Sequence, residues 1–143
     1  MSTVQKTIRI QERTVKEIEQ IARESGKEFS SITNELLNEA VRLRRCPGII
    51  FTEGTTGRRA RIAGTGIEVW EVIATFKSVG EDFKRLHRAY HWLTEHQLRS
   101  AIGYYKAYSE DIDHLIKQNE ELRKDRVDEK YPFLSRGVIE ILP

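Results

Sequence analysis

Thr3-Val-Gln-Lys-Thr-Ile-Arg-Ile10 is the stretch on which the fold of the first third of the chain turns. It is too short and too strictly alternating for a helix. Read with a period of two, Ile8 and Ile10 share one strand face while Gln5, Thr7 and Arg9 share the other. The period then changes. Val15, Ile18, Ile21 and Ala22 recur at three- and four-residue spacing among Glu, Lys and Arg, which predicts an amphipathic helix ended by Gly26 in a left-handed cap. A second helix is expected from Ser30-Ser31 as N-cap residues, with Ile32, Leu36, Leu37, Ala40, Val41 and Leu43 as its apolar stripe, until Cys46-Pro47-Gly48 stops it.

One strand and two short helices are too little to fold alone, because core burial seldom offsets chain entropy below about 40–50 residues. A single strand also leaves its ladder hydrogen bonds unmade. The economical solution is a homodimer in which two copies of residues 3–10 pair antiparallel. Ile8 and Ile10 of both then face four helices, and Gln5, Thr7 and Arg9 are presented twice on the outer face.

That order of strand, helix with Gly26 cap, Ser30-Ser31 and helix resembles the ribbon-helix-helix (CopG/Arc-like) family of bacterial repressors and antitoxins. The resemblance spans about a third of the chain. It implies a two-stranded ribbon in the DNA major groove, with Gln5, Thr7 and Arg9 as base-reading side chains. It also implies that Ser30 and Ser31, at a helix N-terminus with free backbone N–H groups, hold phosphate. Lys6 departs from the pattern by falling on the inward register; at the strand end its ammonium reaches past the core to phosphate.

The chain has 143 residues, 38% hydrophobic and 32% charged, with one cysteine and a formal net charge of +2. Its mean hydropathy is −0.55. These values describe a polar globular chain with neither a membrane span nor a signal peptide, and with no membrane partner expected. Cys46 alone makes no internal disulfide and no Cys-ligated zinc finger, which suits the cytoplasm. The net charge is small, but from position 42 to 61 there are Arg42, Arg44, Arg45, Arg58, Arg59 and Arg61 against Glu53 alone. Such clustering fits either an anionic partner or an exposed linker, and marks Arg58, Arg59 and Arg61 as additional candidate DNA contacts.

Past Pro47, the pattern predicts a β-hairpin pairing 59–62 with 67–69 across Gly64-Thr65-Gly66. Three helices follow: one with Val69, Val72, Ile73 and Phe76 inward, one with Phe83, Leu86 and Tyr90, and one with Leu98, Ala101, Ile102 and Tyr105. Thr94-Glu-His-Gln97 supplies a capping box for the last. The fold class is therefore mostly α with short β, the second module being of helix-turn-helix kind. The string Gly57-Arg-Arg-Ala-Arg-Ile62-Ala-Gly64-Thr65-Gly66-Ile67-Glu-Val69-Trp70, followed by Leu93-Thr-Glu-His-Gln97 and Ala101-x-x-Tyr104, resembles a second family. This is the domain of VapB-type antitoxins with the signature G-x-P-x-I-x-G-T-R-I-x-V, L-T-x-E-Q, A-x-x-Y, and it implies a homeodomain-like fold. Ala60 stands where that signature has proline and Gly66 where it has arginine.

No catalytic constellation is expected. Gly64-Thr65-Gly66 lacks the third glycine of a dinucleotide loop. His87 and His91 stand at i and i+4, but the pair has no third ligand on its turn of helix, so no metal or other cofactor is assigned. Trp70, Trp92, Tyr90, Tyr104 and Tyr105 lie at helical spacing and are expected in core and interface. Cys46 is read as an inert thiol.

Residues 117–130 are almost wholly polar and are expected to continue the last helix before giving way to an arm. Tyr131, Phe133, Leu134, Arg136, Val138, Ile139 and Ile141 then form apolar anchors on a polar tether, a composition suited to ordering on a partner. The domain boundaries expected are 1–46, 47–116 and 117–143. Together with the two resemblances, this implies a cytoplasmic, non-enzymatic antitoxin that binds operator DNA as a homodimer and neutralises a co-encoded toxin, by resemblance a PIN-type ribonuclease. Two rivals are a stand-alone ribbon-helix-helix repressor without a toxin and, less favoured by the residues, a metal-dependent nuclease using His87 and His91.

Overall fold

The computed structural model describes residues 2–130. Among them lie helices α1 (Glu12–Ser25), α2 (Phe29–Arg45), α3 (Val69–Ser78), α4 (Phe83–Ala89), α5 (Glu95–Ala107) and α6 (Ser109–Lys130), with strands β1 (Ile49–Gly54) and β2 (Gly57–Ile62). The protein is mostly helical with one small antiparallel sheet. It divides into two compact units, Met1–Arg45 and Cys46–Pro143.

In the first unit α1 ends as its sequence dictates. Gly26 takes φ 69°, its N–H reaches Arg23 O, and the Lys27 N–H returns to Ala22 O at 3.1 Å, closing a Schellman motif. The start of α2 corrects the sequence reading. Ile32 N–H bonds Glu28 O at 3.0 Å, so the helix opens at Phe29 and Glu28 takes the cap position. Ser30 and Ser31 therefore lie in the first turn and are not N-caps.

Packing in this unit is thin. Ile18, Ala22 and Ile32 are its buried residues among those described, and they form one small cluster. Leu37 and Val41 of the expected apolar stripe are 54% and 53% exposed, and Leu36 and Leu43 are also exposed. Residues 2–10 have no regular secondary structure in the single chain, and the expected strand over residues 3–10 is not formed. Ile8 and Ile10, expected on a buried face, are both exposed. A strand needs a ladder partner, and one copy offers none.

The second unit is built on a real core. Ile49, Ala60 and Ile62 from the sheet meet Val69, Val72 and Ile73 of α3, Leu86 of α4, Leu98, Ala101 and Tyr104 of α5, and Ile112 of α6. Tyr104 is fully buried, while Tyr105, expected inward, is only partly covered. The Thr94 capping box forms as expected: Gln97 N–H donates to Thr94 Oγ1 at 3.1 Å, and Thr94 N–H donates to Gln97 Oε1 at 2.9 Å.

The hairpin is not the one expected. β2 pairs with β1, in a register running from Ile49 opposite Ile62 to Gly54 opposite Gly57. The expected pairing of 59–62 with 67–69 shrinks to one bridge between Arg61 and Glu68. The cause is Thr65. Its N–H and hydroxyl both donate to Ile62 O (3.1 and 2.9 Å), and its hydroxyl accepts from Ile67 N–H at 3.1 Å, closing a tight turn. Glu68 then begins the cap of α3, leaving no length for a third strand. α6 is a separate helix, because Tyr108 (φ −134°, ψ 48°) breaks the chain from α5, and it runs without interruption to Lys130.

The division of core between the units predicts where truncation is costly. Leu98→Ala, at a fully buried position, is expected to lower stability by about 2–5 kcal/mol in urea unfolding of the full chain. Leu122→Ala, on an exposed face of α6, is expected to change it by less than about 0.5 kcal/mol.

Candidate nucleic-acid interface

The sequence-predicted DNA residues of the first unit lie on open surface. Gln5, Lys6, Thr7 and Arg9 are exposed in the segment ahead of α1, and inward and outward registers are exposed alike. Ser30 and Ser31 are exposed in the first turn of α2, where backbone N–H groups have no helical partner. Near that turn Lys27 Nζ pairs with Glu35 Oε2 at 3.2 Å, and Thr33 and Asn34 return their side chains to Phe29 O and Ser30 O. Ser30 and Ser31 thus sit exposed in the same first turn as those N–H groups.

Arg58, Arg59 and Arg61 have internal work. Arg58 donates to Glu53 and to Phe51 O, both at 3.4 Å, across the hairpin. Arg59 pairs with half-buried Glu68 at 3.5 Å and also donates to Thr56 Oγ1. Arg61 Nη1 donates to Gly66 O at 3.0 Å, closing the Thr65 turn. Glu68, which takes up Arg59, lies outside the arginine-rich window read in the sequence. These guanidinium groups brace the hairpin.

In α4, His87 Nε2 lies 3.0 Å from Leu93 O and its ring stands 6.0 Å from that of Phe83. His91 is edge-on to Trp92 at 5.2 Å. Among the described residues no three His, Cys, Asp or Glu side chains converge on a point a metal ion could take. Cys46 is half-buried against the second core. No helix among the described residues is long and apolar enough to cross a membrane. Tyr131, Phe133, Leu134, Arg136, Val138, Ile139 and Ile141 lie outside the described residues.

One polar cluster was missed by sequence reading because its members are far apart in the chain. Lys77 Nζ on α3 lies 2.9 Å from Asp113 Oδ1 on α6, and Tyr105 of α5 donates its hydroxyl to the same carboxylate oxygen at 2.8 Å. The ammonium also stands 5.0 Å from the Tyr105 ring centre. The Tyr105 hydroxyl and then the Asp113 carboxylate hold Lys77 above the usual lysine range. The Lys77 ammonium first, and the Tyr105 hydroxyl second, hold Asp113 below the usual carboxylate range. The cluster pins α6 to the body of the unit.

Residues 49–105 match the family model described as "Protein of unknown function (DUF433)". The matched segment takes in the hairpin, α3, α4 and most of α5, so it covers the hydrophobic heart of the second unit. Among solved structures, the chain is similar to a DUF433 member protein from Anabaena variabilis ATCC 29413. The two are 29% identical, the match covers 76% of this chain and 99% of that one, and the TM-score is 0.42. No curated protein matches.

The Lys77–Asp113 pair predicts a pH dependence with a definite sign. Asp113 is lowered, so its contribution is present above the ordinary aspartate value of 3.8 and is lost as pH falls through the folded-state value. Lys77 is raised, so its contribution is full below 10.5 and is lost only as pH climbs past that value. Both side chains are more than 40% exposed, and solvent screening limits the effect to under about 1 kcal/mol. Lys77→Met is expected to flatten the acid limb of the thermal-stability profile while leaving its shape near neutrality unchanged.

Proposed function

We propose that this chain is a homodimeric DNA-binding antitoxin. In this reading residues 1–46 form a ribbon-helix-helix module, and residues 47–116 a homeodomain-like helical module. Residues 117–143 hold the segment that engages a co-encoded toxin, by resemblance a PIN-type ribonuclease. The protein would act in the cytoplasm, without enzymatic activity.

The observation that carries the reading is the unfinished packing of the first unit. Three buried side chains cannot offset the ordering of some forty residues, at about 1–2 kcal/mol of backbone entropy each. The missing burial is on hand: Val4, Ile8, Ile10, Leu36, Leu37, Val41 and Leu43 are all exposed. Each is worth about 1.5–3 kcal/mol when taken fully out of water. A second copy supplies both that burial and the ladder partner that residues 3–10 lack. Pairing the two segments would then set Gln5, Thr7 and Arg9 on one outer face, beside the first-turn N–H groups of α2.

The antitoxin half of the proposal rests on the two resemblances and on the composition of the last thirteen residues. A stand-alone repressor of the same module is the second reading, and the two part at the C-terminus. Deleting residues 117–143 also removes the end of α6, so a shorter deletion of 131–143 isolates the tail. The shorter deletion is expected to leave operator binding intact and to abolish neutralisation of the toxin encoded beside the gene. Full rescue by that truncated chain favours the stand-alone repressor. For the DNA-binding half, Arg9→Ala is expected to cost roughly 1–3 kcal/mol on the operator and little on random duplex. Equal loss on both would make Arg9 a phosphate contact.

A further inference from the structure

The second unit carries an open groove of about 750 Å³ between α4 and α5. Lys84, His87, Arg88 and His91 line one side, while Glu95 and Arg99 line the other. The charges are not interspersed. Glu95 Oε1 is paired with Arg99 Nε at 2.9 Å, and the Arg99 guanidinium lies 4.3 Å over the Phe83 ring. Lys84 and Arg88 make no ion pair or hydrogen bond among the described residues, and both are exposed. One helical turn apart, they stand about 5–6 Å from each other at Cβ and project from one face of α4. His87 lies on α4 between them, and His91 follows in the turn after the helix.

Trp92 completes the surface. It follows the groove residue His91, meets that ring edge-on, and is 61% exposed. Its ring also lies 5.5 Å from that of Tyr90, and the buried core closes without it. Cations with no internal partner next to an exposed aromatic ring are the two elements of a surface that tracks a phosphodiester backbone and stacks a base.

We propose that the α4–α5 groove binds the phosphodiester backbone of nucleic acid through Lys84 and Arg88, with Trp92 against an adjoining base or sugar. This extends nucleic-acid binding to a second surface of the chain and does not require the N-terminal ribbon. Duplex and single-stranded DNA share the backbone chemistry; an unstacked base for Trp92 is more available in a single strand.

The test uses the full chain with Trp70→Phe, which leaves Trp92 as the only indole. Random-sequence duplex and oligo-dT are titrated while Trp92 fluorescence is followed. The expected result is quenching by one or both, strongest with oligo-dT if the indole stacks on a base. Lys84→Glu/Arg88→Glu in that background is expected to weaken binding roughly tenfold or more and to reduce the salt slope by about 2, from two lost phosphate contacts. Lys84→Gln/Arg88→Gln, milder for folding, is expected to change both in the same direction. Lys106→Glu/Lys117→Glu, an equal change of charge on exposed positions of α5 and α6, is expected to do much less. Adding Arg9→Ala separates the two surfaces: the Trp92 signal survives it, whether or not the ribbon reads DNA. The proposal is overturned if neither nucleic acid quenches Trp92, if the two charge-reversed pairs lose affinity equally, or if polyglutamate quenches Trp92 where DNA does not.

Discussion

Hydrophobic burial is distributed unequally along this chain, and the rest of the account depends on that inequality. Among the described residues the second unit closes a core of twelve buried side chains drawn from the hairpin and its helices, with Val69, Val72, Ile73, Leu86, Leu98 and Ala101 wholly removed from water. The first unit buries three. Its α2 nevertheless carries Leu36, Leu37, Val41 and Leu43 on an apolar stripe, and all four are exposed in a single copy. A helix keeps such a face only against something. The same deficit explains why residues 2–10 lack regular structure: an isolated strand has neither ladder nor core.

In the second unit, polar groups place the elements that the core then holds. Thr65 turns the chain after β2, Glu68 opens α3, Asp82 accepts from Arg85 N–H at the head of α4, and Thr94 with Gln97 opens α5. Because these caps sit at the ends of short helices, they fix where each one begins, and so which residues reach the groove between α4 and α5. Three of the six arginines between positions 42 and 61, Arg58, Arg59 and Arg61, brace the hairpin. Lys84 and Arg88 of α4 lie outside that window and line the groove instead.

Helices were legible wherever the apolar period was clean and a cap stood at its end. Gly26 after α1, and Thr94 with Gln97 before α5, are local signals that local hydrogen bonds satisfy. The hairpin was misread because its register is set by Thr55-Thr56 between Gly54 and Gly57, whereas Gly64-Thr65-Gly66 carries an equally strong turn composition. Only the Thr65 side-chain bonds decide between them. The start of α2 was misplaced because serine is a better cap by composition than Glu28, and Tyr104 was exchanged with its neighbour by one step of helical phase. Long-range pairs were invisible: Lys77 with Asp113 and Arg59 with Glu68 require the tertiary fold. The fate of Gln5, Thr7 and Arg9 was legible only as an alternation, which the single chain does not turn into a strand.

Sedimentation equilibrium of the full chain at micromolar concentration tests this most directly. A mass of two copies, with far-ultraviolet helicity that falls as dilution separates them, is what the exposed α2 stripe demands. A mass of one copy, with the α1–α2 helices still fully formed, would show that three buried side chains suffice and would contradict the account.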